Sequence, residues 1–265
     1  MTARLLLLTL FLSVGCLTAR GQDLRTGVAT DDGGFLAAGD YLAWLDADGI
    51  VLRKRPLNRP LTALASCGGR LYALEADGRE LSTLNADGTV VSREKLPVKG
   101  RLRALAGDRN TLWAVTDAGE IARRTGGAEW TVFEFITQYA GYYPSMDFRA
   151  VAAGGGSVMV AGIGPDGTPA AFTSARGTVW SERLLDYTEQ GIPCTFKDTV
   201  TALSYDAPQD RFFLLGSGGA QLALPGCSHC NSLTRYPVDT LFARIPGVSA
   251  SLLLGADGFL RVEER

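Results

Sequence analysis

The chain has 265 residues, with 26 basic and 28 acidic side chains, one histidine and 32 glycines. A protein that binds the phosphate backbone of DNA or RNA needs a positive face, and this near-neutral balance argues against a nucleic-acid partner. Low charge, many glycines and many short apolar runs favour one all-β domain that is rich in turns.

The N-terminal residues 1–21, MTARLLLLTLFLSVGCLTARG, have the layout of a secretory signal peptide. An early arginine precedes an apolar run over residues 5–17, which is shorter than the roughly 20 residues that span a bilayer. Cleavage after Gly21 would leave residues 22–265 as an exported protein of the periplasm, the cell surface or the extracellular medium. A lipoprotein signal with a lipid anchor at Cys16 is the alternative. No other apolar stretch predicts a transmembrane segment.

A triplet of small and apolar residues recurs at intervals of about 40 residues, which is the spacing of propeller blades. The copies are Val28-Ala29-Thr30, Ala63-Leu64-Ala65, Ala104-Leu105-Ala106, Ala150-Val151-Ala152, Ala202-Leu203-Ser204 and a weaker copy at Phe242-Ala243. Each copy opens a unit of short alternating runs separated by glycines, such as TALASC, GGRLYALEADG, RELSTLNADG and TVVSREKLP. Residues 22–265 therefore predict a single β-propeller, with six four-stranded blades.

The last unit, from LFARIPG to FLRVEER, contains only three predicted strands. We expect residues 22–24 to supply its outer strand and so to close the ring. The inner strand of each blade would line a crowded channel, which explains why the recurring triplets are rich in alanine.

The tetrapeptide Asp-Ala-Asp-Gly at residues 46–49 raises the question of a metal loop, and a close copy occupies residues 85–88. An EF-hand loop needs ligands over twelve positions, whereas strand residues follow directly at Ile50. Shorter copies lie between apolar runs at Ala76-Asp77-Gly78, Asp117-Ala118-Gly119, Pro165-Asp166-Gly167 and Ala256-Asp257-Gly258. The pattern predicts hairpin turns in which glycine takes a positive φ.

Two turns between third and fourth strands resemble the Asp-box of BNR-repeat propellers, Ser-x-Asp-x-Gly-x-Thr-Trp. They are SARGTVW at residues 174–180 and TGGAEW at residues 125–130, and the box aspartate is missing at Ala175-Arg176. The family includes sialidases and the non-enzymatic photosystem II assembly factor type. The resemblance implies a propeller. It favours the non-enzymatic branch, because the arginine triad, tyrosine nucleophile and glutamate of sialidases have no matching positions here.

The sequence Cys227-Ser-His-Cys230 is the most distinctive chemical motif. Haem attachment would need histidine after the second cysteine, where Asn231 stands. A zinc site lacks an evident fourth ligand, and a redox pair usually begins at a helix N-terminus. In an oxidising compartment the motif predicts a disulfide between Cys227 and Cys230, with Cys67 and Cys194 as free thiols.

Charged residues stand three or four positions before the recurring triplets, where the inter-blade connections enter the inner strands. They are Arg59, Arg101, Asp147, Asp198 and Asp239. We expect them to ring one mouth of the channel, basic on one half and acidic on the other. The arginines could bind a polar ligand, and the three aspartates could hold Ca²⁺, as in six-bladed calcium-dependent lactonases. The alternative is that they pair with one another or with backbone groups.

The connections over residues 133–148 and 186–198 are long and aromatic, which is typical of functional loops. Their candidate binding residues are Tyr139, Tyr142, Tyr143, Tyr187 and Phe196. These side chains suit a protein or glycan partner, although the loops could instead pack over the blades and plug the channel. The sequence thus predicts an exported binding or scaffolding module without a cofactor. The alternative is a calcium-dependent lactonase-like or hydrolase-like enzyme.

Overall fold

A computed structural model gives the fold and describes residues 23–139, 141–226 and 230–264. It is an all-β propeller with six antiparallel blades around a central channel. The strands of each blade pair in chain order, and the first strand of every blade is the innermost. The predicted fold class is confirmed.

The first three blades have four strands each. Blade 1 contains β1 (Leu24–Ala29), β2 (Phe35–Gly39), β3 (Tyr41–Leu45) and β4 (Val51–Pro56). Blade 2 contains β5 (Leu61–Cys67), β6 (Arg70–Glu75), β7 (Leu81–Leu84) and β8 (Val90–Glu94). Blade 3 contains β9 (Leu102–Asp108), β10 (Thr111–Thr116), β11 (Glu120–Thr125) and β12 (Thr131–Glu134).

The second half of the ring adds a short helix and a hairpin to the blades. The helix α1 (Phe135–Tyr139) precedes blade 4, which contains β13 (Asp147–Gly154), β14 (Ser157–Ile163), β15 (Pro169–Ser174) and β16 (Ser181–Arg183). The hairpin is β17 (Asp186–Glu189) with β18 (Ile192–Thr195). Blade 5 contains β19 (Val200–Asp206), β20 (Arg211–Gly216), β21 (Ala220–Pro225) and β22 (Ser232–Arg235). Blade 6 contains β23 (Leu241–Pro246), β24 (Ala250–Gly255) and β25 (Leu260–Glu264).

The ring closes differently from the sequence-based prediction. Residues 22–24 were expected to form the outer strand of blade 6, but Leu24 is buried at the start of β1 and pairs with Gly39. Within the described ranges blade 6 therefore has three strands. Closure comes from β1 packing against β23 and β24, because the first blade needs its own inner strand and the chain uses these residues for it.

The core lies between neighbouring blades, because each blade is covered on both faces. In β2, Phe35 and Ala37 pack towards blade 6 beside Leu252, while Leu36 packs towards blade 2 beside Leu64. Strands covered on both faces, such as β2 and β24, read as nearly continuous apolar runs, whereas the outer strands β4 and β8 are almost wholly exposed. This explains why the inner triplets were the strongest sequence signal.

The Asp-Gly repeats are turns, as predicted. In the β3–β4 turn the Asp46 carboxylate accepts hydrogen bonds from the backbone N–H groups of Asp48 at 3.0 Å and Ile50 at 2.8 Å. Gly49 follows with a φ of 77°. Both hydrogen bonds go to Oδ1 of Asp46, so this carboxylate holds its own turn together, which is a structural role.

The two long connections contain secondary structure that periodicity did not reveal. Helix α1 is five residues long, too short to establish a helical repeat in sequence. The second connection folds as the β17–β18 hairpin, which packs beside β22. No helix within the described part of the chain is long and apolar enough to cross a membrane. Residues 1–21 and Cys16 lie outside the described residues.

A buried charged cluster joins blade 5 to blade 6. The side chain of Arg244 on β23 is 3% exposed and contacts Glu263 at 2.6 Å, Gln221 at 3.3 Å and Asp206 at 3.5 Å. Its guanidinium also lies 4.1 Å from the ring centroid of Phe213. A buried guanidinium is tolerated only with several acceptors, and here they come from both blades.

Replacement of Arg244 should weaken this junction strongly. We expect Arg244→Met to lower the free energy of unfolding by about 3 kcal/mol or more, because Asp206 loses its buried guanidinium. Urea unfolding followed by tryptophan fluorescence measures the change. Arg261→Met, which removes an exposed guanidinium stacked on Tyr236, is the control. Equal losses in the two variants would contradict the assignment.

Candidate functional site

A pocket forms beside blade 4, where the connection that contains α1 meets the β14–β15 turn and the start of β16. Its volume is about 590 Å³. We call it the aromatic pocket; its lining residues are Tyr139, Tyr142, Tyr143, Pro165, Asp166, Thr168, Pro169, Ala170, Phe172, Trp180 and Glu182. Three of the predicted tyrosines thus lie at one site.

The floor of the aromatic pocket is part of the hydrophobic core. Phe135 on α1 packs against Phe172 with ring centroids 4.5 Å apart and against Phe148 at 5.3 Å. Tyr139 stacks on Phe135 at 4.6 Å. The connection therefore packs part of its aromatic surface over the blade, as one of the two sequence-based alternatives proposed. Buried rings of this kind hold the pocket floor in one arrangement.

One wall of the pocket is fixed by hydrogen bonds to the backbone. The Tyr139 hydroxyl donates to the carbonyl oxygen of Trp180 at 2.9 Å and accepts from its backbone N–H at 3.1 Å. Trp180 ends the turn that resembles an Asp-box, and in that turn the Ser174 hydroxyl accepts from the N–H of Gly177 at 2.8 Å. The turn thus positions a pocket wall.

The rim combines aromatic and acidic groups. Tyr142 is 84% exposed, while burial and a hydrogen bond to Glu182 raise the pKa of Tyr143 to about 12. Asp166 accepts from the hydroxyl of Thr168 at 2.7 Å and from its backbone N–H at 3.0 Å. These hydrogen bonds lower the pKa of Asp166, so the rim carries a negative charge beside an exposed ring.

The remaining predicted aromatic residues belong elsewhere. Phe196 is 2% exposed and packs in the core between blades 4 and 5, so its ring is not available to a partner. Tyr187 on β17 is partly buried against the same core cluster. The connection over residues 186–198 was expected to offer both rings to a partner, but it packs them against the core between blades 4 and 5.

The predicted charged ring is not assembled at the channel. Arg59 pairs with Glu75 at 3.0 Å, and Asp198 pairs with Arg235 at 2.9 Å. Arg101, Asp147 and Asp239 also lie outside the set of residues that line the channel. The inter-blade connections thus hold Arg59 and Asp198 in ion pairs with residues of their own blades instead of at the channel.

The aspartates proposed as calcium ligands do not form a cage. Asp147 contacts Arg149 at 2.9 Å. Asp198 lies in the connection before blade 5, and Asp239 lies in the connection before blade 6. Among residues 23–139, 141–226 and 230–264, no group of three or more His, Cys, Asp or Glu residues is placed to hold a metal ion. The three aspartates thus do not come together as a carboxylate site for Ca²⁺.

The side chains at the channel mouth come from a feature that sequence analysis missed. Every inner strand has a β-bulge near its start, directly after its first paired residue in five blades and after its second in blade 4. The bulged residues form what we call the mouth ring: Arg25, Thr62, Arg103, Arg149, Thr201 and Phe242. A bulge re-aims the side chain of its extra residue. In blades 2 to 5 the bulged residue directly precedes the recurring triplet, which was the available sequence signal.

The predicted disulfide and the two predicted free thiols concern four cysteines, three of which lie among the described residues. Cys227 lies outside the described residues, so its disulfide with Cys230 stays a prediction. Cys67 and Cys194 form no disulfide with any residue that the structure describes. Burial raises the pKa of the Cys67 thiol, which is typical of an inert core cysteine.

No protein-family model matches the sequence, and no curated protein matches it. Solved structures are similar in fold. Virginiamycin B lyase from Staphylococcus aureus has 11% identity and a TM-score of 0.65, over 91% of this chain and 94% of that chain. A streptogramin B lyase has 12% identity and a TM-score of 0.64, over 94% of this chain and 96% of that chain.

YCF48 from Cyanidioschyzon merolae has 12% identity and a TM-score of 0.57, over 92% of this chain and 96% of that chain. These similarities define the class of the protein as a β-propeller. They do not confirm the BNR or Asp-box type. Because lyases and YCF48 share the architecture, function has to be argued from the site.

The partly buried Tyr143 should give the fold an alkaline pH dependence. The unfolded chain releases this proton near the ordinary pKa of 10, and the folded chain only near 12. Stability should therefore fall as the pH rises from about 10 to about 12. In urea unfolding over this range we expect Tyr143→Phe to have the shallower decline, with Tyr142→Phe as control. An unchanged slope in Tyr143→Phe would contradict the placement of the hydroxyl.

Proposed function

We propose that the chain is an exported binding module that holds a polypeptide segment of a partner protein in the aromatic pocket. The exposed ring of Tyr142 carries this proposal. That ring is 84% exposed at the edge of a 590 Å³ pocket whose floor is packed and whose wall is hydrogen-bonded. Large exposed rings beside a rigid pocket are typical of interface anchors.

The chemistry of the rim indicates which segment would fit. Pro165 and Pro169 add apolar surface beside the tyrosines, while Asp166 and Glu182 supply carboxylates. An apolar or aromatic side chain would occupy the pocket, and a neighbouring lysine or arginine would approach the carboxylates. A basic, aromatic peptide thus satisfies both halves of the site.

Two further observations support a peptide-binding role. One of the similar structures is YCF48 bound to D1 peptide, at 13% identity and a TM-score of 0.57, so a propeller holds a polypeptide segment in that protein. Export is supported by the signal-peptide pattern of residues 1–21. A partner would then belong to the same extracytoplasmic compartment.

The test selects peptides on the purified protein from a random phage-displayed library and measures the affinity of the enriched sequences by calorimetry. We expect enriched peptides to combine a basic and an aromatic residue. Tyr142→Ala should weaken them by roughly tenfold or more, as truncation of an interface anchor does. Glu182→Gln should weaken the basic peptides and reduce their dependence on salt.

Val179→Ala is the matched control, because Val179 is 73% exposed in the neighbouring β15–β16 turn and does not line the pocket. Peptides that bind Tyr142→Ala as tightly as the parent protein would show that the pocket is not the binding site. A glycan array provides the competing outcome. Glycans that bind through Tyr142 while no peptide is enriched would overturn the polypeptide proposal.

A further inference from the structure

We infer that the mouth ring of the central channel binds a small organic dicarboxylate, at a site separate from the aromatic pocket. The channel encloses about 290 Å³ and is lined by the six inner strands. This volume is near the lower end of about 300 Å³ for ligand sites, so a small molecule fits better than a folded partner. The mouth ring places three arginines at its edge.

Two of these arginines stand on opposite sides of the channel. Arg25 belongs to blade 1 and Arg149 to blade 4, which is three blades away in a ring of six. Each side chain is directed by the same bulge, at the same height in its inner strand. A ligand with a carboxylate at each end can therefore contact both guanidinium groups across the opening.

The ion pairs at the mouth leave donors available to such a ligand. Arg103 contacts Asp117 at 3.1 Å and Asp147 at 3.9 Å, so neighbouring carboxylates occupy it. Arg149 uses only its Nε, which donates to Asp147 at 2.9 Å. Its terminal nitrogens find no acceptor within the described part of the chain. Arg25 forms no ion pair with any described residue and lies 5.9 Å from the centroid of the Phe242 ring.

The charge around the mouth is weakly positive, which favours an anion. Arg103 and Arg149 pair with Asp117 and Asp147, so the positive charge of the mouth ring that no carboxylate of these pairs offsets is that of Arg25. Guanidinium groups bind carboxylates through two parallel hydrogen bonds, which makes them selective for planar anions. The low-dielectric channel wall strengthens this attraction.

The surface between the arginines suits a hydrocarbon chain. Phe242 completes the mouth ring, and the wall below it consists mainly of alanine, leucine and valine side chains. The Thr201 hydroxyl donates to the carbonyl oxygen of Leu241 at 2.6 Å, so it does not compete for the ligand. An aliphatic spacer with two terminal carboxylates matches this order of charged, apolar and charged surface.

The experiment titrates the purified protein at low salt with glutarate and adipate, and with propionate and inorganic phosphate as probes of ligand class. We expect a dicarboxylate to bind roughly tenfold or more tightly than propionate, because both ends are held. Arg25→Gln and Arg149→Gln should each weaken it by roughly tenfold or more. Arg79→Gln, which removes the same charge from an exposed turn outside the channel, should change affinity by less than about twofold.

Several outcomes would overturn the inference. If neither glutarate nor adipate binds at about 10 mM, the mouth ring is not a dicarboxylate site. If phosphate binds more tightly than the dicarboxylates, the site is one for phosphate and not for dicarboxylates. If Arg79→Gln weakens dicarboxylate binding as much as the two channel variants do, the net charge of the protein and not the mouth ring explains the binding. A Glu-Gly-Gly-Glu peptide that binds while the free acids do not would assign the site to an acidic polypeptide. Tyr142→Ala should leave dicarboxylate binding unchanged, which separates this site from the aromatic pocket.

Discussion

The structure depends on the close approach of backbone segments at the channel end of each blade. Where the chain enters an inner strand it forms a bulge, and in four of the six blades a glycine on the second strand pairs with the residue just before that bulge. A Cβ on Gly39 would lie 1.9 Å from the carbonyl oxygen of Asp23, and a Cβ on Gly162 would lie 2.0 Å from that of Asp147. No side chain fits at that distance, so these glycines permit the strand to enter. The same geometry directs the bulged residue of each strand into the mouth ring.

The two candidate sites originate from different parts of this design. The mouth ring is a property of the repeat, because each blade contributes one residue through an equivalent bulge. The aromatic pocket comes from an insertion into the repeat, in which α1 and its connection add rings to blade 4. A repeat offers the same position six times, so its residues can vary from Arg to Thr to Phe without disturbing the strands. An insertion offers a unique surface, which suits a partner that is recognised by shape.

Much of the fold could be predicted because its signals are local. Hairpin turns such as that at Asp46 need only a few neighbouring residues, and the carboxylate of Asp46 caps its own turn. The aromatic pocket was predicted in part: Tyr139, Tyr142 and Tyr143 converge, whereas Phe196 enters the core. Exposed and buried aromatic residues look alike in a sequence. Only the packing of the hairpin on blade 5 distinguishes them.

By itself, the sequence determined the strand and turn pattern and the six-fold repeat, since both follow from residue type and spacing. Tertiary structure alone decided how the ring closes, which residues surround the channel and which carboxylates meet a cation. Asp147 was predicted to join two other aspartates, and it instead lies between Arg149 and Arg103. The physical reason is that the inter-blade connection still runs at the blade edge at the predicted positions, and the channel is first reached two or three residues later, at the bulge. A shift of that size is invisible in a repeat of roughly 40 residues, yet it places Arg149, Thr201 and Phe242 at the mouth where the sequence had suggested Asp147, Asp198 and Asp239.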